Sequence, residues 1–190
     1  MHILSLATCL ARLGNRVIVI THAYDSNAST IDTTSYRGVR YFPGPIKVYY
    51  CPIRPMTDQV ILPTFTATFP LLRWIFIREQ IQIIHAHQAT STMANEAIVY
   101  AGELGIPSVY TDHSLFDFQD VASRILNGVL TTTLSTVRAV ICVSHACRDN
   151  LILRARIDPS IVHIIPNAID ASKFLPDPSK RAPNRYDFYK

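Results

Sequence analysis

The chain is 190 residues long, with 18 Lys and Arg against 14 Asp and Glu, a net charge of +4 with His neutral. Hydrophobic residues make up 48% and charged residues 17%, below the roughly 25% charged of an ordinary soluble domain. This excludes a charge-rich disordered chain, six glycines exclude a collagen-like one, and the length suits one core.

Ile3, Leu6, Leu10 and Leu13 recur at steps of three and four, so residues 3–13 read as one helical face, stopped by Gly14. Arg16 to His22 holds a β-branched run and reads as a buried strand. An α/β unit normally opens on a strand, so a first strand is expected to be missing ahead of this helix. Residues 23–45 are polar and turn-rich and predict no element. Lys47 to Cys51 is a short strand ended by Pro52, and Phe65, Phe69, Leu72 and Phe76 form a helical stripe interrupted by Pro70. A strand follows at Ile81–Ala86, then a helix marked by Met93, Ala97, Ala101 and Leu104 with Gly105 as its cap. Pro107–Thr111 is a strand, Val121 to Leu130 a helix, and Arg138–Val143 a strand, with Ser144 placed to cap the next helix. Ile161–Ile165 is the last strand, stopped by Pro166. Strands alternating with helices predict a Rossmann-like, mostly parallel sheet covered on both faces. The domain is expected to span 1–170, with a linker or unstructured tail over 171–190.

Cys9, Cys51, Cys142 and Cys147 form no C-x-x-C pair, which argues against a zinc or disulfide framework. Met1-His-Ile3 lacks a signal-peptide pattern, and the sequon at Asn27 is then expected to carry nothing. The apolar stretch Gln59–Leu72 is too short and too broken by Pro63 and Pro70 to cross a bilayer. It could still lie on a membrane surface. Arg73, Trp74 and Arg78, with Phe69 and Phe76, are candidates for a basic, aromatic patch meeting anionic lipid. An ordinary amphipathic helix with solvated arginines is the favoured reading of this segment. No aromatic-basic motif for nucleic acid is present.

Five of the seven histidines fall at or just beyond the end of a predicted strand: His22, His85, His87, His113 and His145. Asn167 follows the last strand in the same way. In an open parallel sheet, ligands bind outside the carboxyl ends of the strands, so these side chains should share one rim. One reading is a metal site on His85, His87 and His113, but Asp112 is the only carboxylate in these tight strand-end motifs, and hydrolytic sites usually need more. The favoured reading is a hydroxylated or phosphorylated ligand, with His113 between Asp112 and Ser114 exchanging protons. The helix after Ser144 would offer backbone N–H groups to an anion. Ser144 itself lacks a nucleophile elbow, Cys142 reads as a buried strand residue, and His163 as structural.

The ordered motifs Thr21-His-Ala-Tyr24, Lys47-Val-Tyr-Tyr50, Pro70-Leu-Leu-Arg73, Ile83-Ile-His-Ala-His87, Thr111-Asp-His-Ser-Leu-Phe116, Ile141-Cys-Val-Ser144 and Ile165-Pro-Asn-Ala-Ile-Asp170 closely resemble the N-terminal half of the PIG-A family within glycosyltransferase family 4. The resemblance covers His2 to about Pro178. It implies the N-terminal domain of a GT-B fold. It also implies metal-free, retaining transfer of N-acetylglucosamine from UDP-N-acetylglucosamine to phosphatidylinositol, the first step of GPI-anchor synthesis. No cofactor is implied. The implied setting is the cytoplasmic face of the endoplasmic reticulum membrane, among other subunits of a transferase complex and without nucleic acid. By the same resemblance His113 is catalytic, and His85, His87, Asp112, Ser114 and Asn167 bind substrate, Asn167 at the crossover to a second domain. A strand and glycine-rich loop ahead of the first helix, and the donor-binding second domain, are expected to be lacking here. The expectation for the chain alone is therefore an inactive fragment. The rival is a non-catalytic module that docks on membrane or on complex subunits.

Overall fold

The computed structural model describes residues 2–23, 37–53, 64, 67–115 and 121–168. The expected tail at 171–190, Phe65 and Asn27 lie outside the described residues. In chain order the elements are α1 (His2–Arg12), β1 (Ile18–His22), β2 (Gly38–Phe42), β3 (Ile46–Cys51), α2 (Phe69–Arg78), β4 (Ile84–His87), α3 (Thr92–Glu103), β5 (Ser108–Asp112), α4 (Val121–Leu134), β6 (Ala139–Cys142), α5 (His145–Ala155), a 3₁₀ turn (Pro159–Ile161) and β7 (Val162–Ile164). This is an α/β chain, as its alternating pattern predicts.

Local chemistry sets the boundaries. Gly14 and Gly105 follow α1 and α3 at φ +86° and +69°, a backbone region in which a side chain is strained. Pro70 does not interrupt α2 but sits in its first turn, where its missing N–H costs nothing. Ser91 and Ser144 cap α3 and α5, accepting hydrogen bonds from the Ala94 and Cys147 amides.

The strands form two sheets rather than one. β4, β5, β6 and β7 are parallel in that order, while β1 pairs parallel to β3, and β3 antiparallel to β2. Among the described residues no strand pairing joins β1 to β4. β2, in the stretch that predicted no element, is almost wholly exposed at a sheet edge. An edge strand with no buried face carries no apolar alternation to read.

β3 is covered on both faces. Ile46, Val48 and Tyr50 pack with Ala7 of α1, and Tyr49 and Cys51 with Ile75 of α2 and Met93 of α3. The four-stranded sheet differs. Ala86, Tyr110, Val140, Cys142 and Val162 pack beneath Ile98 of α3, Leu130 and Leu134 of α4, and Leu151 and Ala155 of α5. The intervening Val109 and Ile141 are only half-buried, and His163, expected inside the apolar run, is exposed. Burial therefore alternates along β4 and β6, while β5 ends with Thr111 and Asp112 both buried.

Two polar side chains tie elements together. Glu79, buried at the end of α2, accepts hydrogen bonds from Arg16, Lys47 and Tyr49. Lys47 first, then Tyr49, holds its carboxyl below the ordinary carboxylate range. Asn95 of α3 donates to the carbonyls of Ala89 and Ser91 and accepts from Thr133 of α4.

Leu151→Ala, at a fully buried site, is expected to cost about 2–5 kcal/mol in urea unfolding. Leu153→Ala, on the exposed face of the same helix, should stay within about 0.5 kcal/mol. Equal losses would contradict this packing.

Candidate functional site

The parallel strands bring histidines together at one rim. His85 and His87 lie on β4, and His113 directly follows β5. The His85 and His87 rings stack at 4.2 Å, and the His87 and His113 rings at 5.6 Å. His87 Nδ1 lies 3.3 Å from His113 Nε2, so one of those nitrogens carries the shared proton. His85 Nε2 bonds Thr111 Oγ1 at 2.7 Å.

A fourth imidazole joins them that the strand-end pattern does not mark. His2, at the start of α1, meets His113 edge-on at 4.8 Å and His87 at 5.9 Å. It occupies no strand end, so the signal that finds the others cannot find it. Its place at the first residue of a helix is the available clue.

Burial works against charge in this cluster. It pulls the His87 imidazole down to about 3, helped by His85, His113 and His2. Burial also lowers His85, with His2 and His113 adding to it. His113 is less sheltered, and burial and then His2 lower it against the opposing pull of Asp112. Near neutral pH these three imidazoles are uncharged donors and acceptors.

The rim loops are tied to each other. The Gln88 amide N–H bonds the Thr111 carbonyl, and Gln88 Nε2 donates to Ser114 Oγ at 2.7 Å. Gln88 holds this pose at φ +74°, a strained conformation of the kind that gathers at functional sites.

The structure corrects the expectation that Asp112 binds ligand. Its side chain is fully buried and bonded to Arg154 of α5 at 2.8 Å. The Tyr110 hydroxyl donates to it as well. Burial pushes its carboxyl up, and Arg154 pulls it back. Asp112 therefore positions the end of β5, from which His113 projects, and does not face the rim. Asn167 is exposed beyond β7, and His145 is exposed at the start of α5. No ring contact brings His145 to the cluster among the described residues. His22 ends β1 and lines a cavity shared with His85 and His87. Cys142 and Cys147 are buried, with burial raising both thiols.

With this geometry in place, known proteins supply the context. Residues 32–120 match the family model PIGA (GPI anchor biosynthesis). The chain is 43% identical over 180 residues to a human phosphatidylinositol N-acetylglucosaminyltransferase subunit, covering 95% of this chain and 35% of that protein. It is 44% identical over 179 residues to the gpi3 subunit of the same-named transferase from Schizosaccharomyces pombe, covering 94% and 37%. The chain is thus similar, over residues 32–120, to the PIGA (GPI anchor biosynthesis) family model. It spans about a third of the length of these curated relatives. A solved structure, Anabaena Alr3699/HepE with UDP and glucose, aligns at 18% identity and a TM-score of 0.47, over 71% of this chain and 34% of that one.

The matched PIGA residues include His85, His87, Asp112, His113 and Ser114, and also Arg73, Trp74 and Arg78. His2 and Asn167 lie outside them. Arg73, Trp74 and Arg78 share the exposed face of α2, and the Arg78 guanidinium lies 5.0 Å over the Trp74 ring. Phe76, expected in that patch, is buried instead, and Phe69 packs against Tyr100. His2, His87 and His113 also place one ligand nitrogen each within 4.8 Å of one another, a spacing that could hold a transition-metal ion.

Two outcomes check this site. Asp112→Asn strands a buried guanidinium and is expected to cost about 3–5 kcal/mol, while Asp112→Leu combined with Arg154→Met recovers much of it. Chemical denaturation of the two variants decides. The lowered imidazoles also bind protons later than their unfolded counterparts at 6.5. For His87 that contribution to stability is whole above 6.5 and lost as pH falls from it toward about 3. Between about pH 7 and about pH 5 the stability of His87→Asn should fall less steeply than that of the natural chain. An unchanged slope would show that His87 is not held neutral.

Proposed function

We propose that this chain is the acceptor-side part of a GT-B glycosyltransferase that moves N-acetylglucosamine from UDP-N-acetylglucosamine to phosphatidylinositol. In this reading it works at the cytoplasmic face of the endoplasmic reticulum membrane, among other subunits of a transferase complex. The observation that carries it is the packed, uncharged imidazole cluster at the strand ends, within a chain that matches GlcNAc-transferase subunits over nearly all its length. Neutral imidazoles can accept a hydroxyl proton and return it without burying a net charge. His113, the half-exposed member, is placed to touch the reacting sugar. His87 behind it sets the tautomer through the 3.3 Å contact. His85, held by Thr111, backs His87. Ser114, anchored by Gln88, supports the hydrogen-bonding of a polyhydroxyl acceptor, and Asn167 marks the passage toward a second domain. Arg73, Trp74 and Arg78 fit the membrane surface from which the lipid is drawn. The chemistry needs no cofactor or metal in this reading.

The test uses the full-length protein in microsomes, with labelled UDP-N-acetylglucosamine and phosphatidylinositol. His113→Ala is expected to lower kcat/KM by about 10²-fold or more, and chelator to leave turnover unchanged. The 190-residue chain alone is expected to give no appreciable transfer. A second reading rests on the spacing of His2, His87 and His113. Loss of activity with chelator, restored by zinc, would favour that reading and overturn the metal-free one. Full activity in His113→Ala would remove His113 from catalysis. Binding of the isolated chain to complex subunits or to anionic vesicles, without transfer from any longer form, would favour a docking module.

A further inference from the structure

The strand-end pattern groups His85, His87 and His113 as candidate ligands, and the fold exchanges the first of them. His85 Nε2 is taken by Thr111 Oγ1 at 2.7 Å. His2 of α1 joins His87 and His113 instead, with one ring nitrogen of each lying within 4.8 Å of the other two. Two of the three already stand at ligand spacing. His87 Nδ1 and His113 Nε2 are 3.3 Å apart, and two nitrogens held about 2.0–2.1 Å from one tetrahedral ion are about 3.3–3.4 Å apart. His2 is exposed at the first residue of its helix, so rotation about its own side-chain torsions brings its nitrogen the rest of the way.

We propose that the rim binds one divalent ion of the zinc class through His2, His87 and His113, and that the bound ion stops sugar transfer. The ligand set selects the ion. Three imidazoles suit zinc, copper or nickel, whereas magnesium and calcium need oxygen ligands. Asp112, beside His113 in the sequence, gives them none, since it is buried against Arg154. Binding changes a tautomer and not a charge on the protein. The proton shared by His87 and His113 belongs to one of the two rings. That ring takes it up at its other nitrogen, and both facing lone pairs are then free for the ion. Three ligands leave the fourth position to solvent, unlike the closed four-ligand shell of a structural zinc. The ion therefore exchanges with solution and acts as a reversible block. Inhibition follows from the same atoms. An ion on His113 Nε2 takes that nitrogen out of proton exchange and freezes His87 behind it. This consequence rests on the reading that His113 touches the reacting sugar, whereas binding of the ion does not.

The test uses the full-length protein. In microsomes, free zinc set by a metal buffer is expected to lower transfer saturably, chelator to restore it in full, and magnesium at the same concentrations to change nothing. Each variant is compared with its own zinc-free rate. His2→Gln is expected to raise the half-inhibitory zinc concentration about tenfold or more, and His163→Gln, at an exposed residue of β7, to leave it unchanged. A readout independent of turnover comes from cobalt(II) added to the purified protein in detergent. The visible absorption of a tetrahedral site should appear at one ion per chain and be lost in His2→Gln. Equal zinc inhibition of the natural protein and His2→Gln overturns the proposal while leaving metal-free transfer standing, and so does the lack of a cobalt band in the natural protein. One ion bound with no change in transfer overturns the inhibition, and with it the contact of His113 with the reacting sugar. Transfer that stops with chelator and needs zinc overturns both the inhibition and the metal-free reading.

Discussion

The buried pair between Asp112 and Arg154 fixes the site's geometry. Asp112 is the last residue of β5 and Arg154 lies on α5, and both side chains are wholly shielded from water. Neither charge is tolerable there without the other. The pair therefore locks the end of the central strand to the last long helix. His113 is the next residue, so its position is inherited from this contact. Tyr110 and Cys147 close around the same carboxylate and leave it no freedom to serve a ligand.

From that anchor the rim follows. Parallel pairing of β4 with β5 sets His87 opposite Thr111, one residue before the anchor. The side chain of Gln88 then bridges to Ser114, tying the loop after β4 to the loop after β5. The imidazoles end up stacked rather than splayed, and stacking is what desolvates them. Their lowered proton affinity is thus a product of packing. A neutral, closely spaced donor and acceptor set suits sugar hydroxyls better than it suits phosphate alone.

Much of this is legible in the chain. The serine caps of α3 and α5, the glycines closing α1 and α3, and the β-branched strands carry local signals that tertiary context does not override. So does the placement of His85, His87 and His113 at strand ends, because a strand boundary is written in its flanking residues. Three things are not legible. β2 has no buried face and so no pattern. Arg154 looks like any helix arginine until the fold brings it beneath Asp112, a partner 42 positions away. The single sheet that alternation predicts is two, because among the described residues no strand lies between β1 and β4. The apolar stripe on α1 is a true stripe, but it faces the resulting slot instead of a filled core.

The central claim is that the rim histidines are held uncharged in one packed cluster. The most direct measurement is a pH titration of the imidazole carbon-bound protons and ring nitrogens by NMR, with each histidine assigned. The account predicts that His87 shows no titration above about pH 4, in keeping with its lowering to about 3. A His87 that titrates near the free imidazole value of about 6.5 would contradict the account, because the cluster would then be solvated and its members independent.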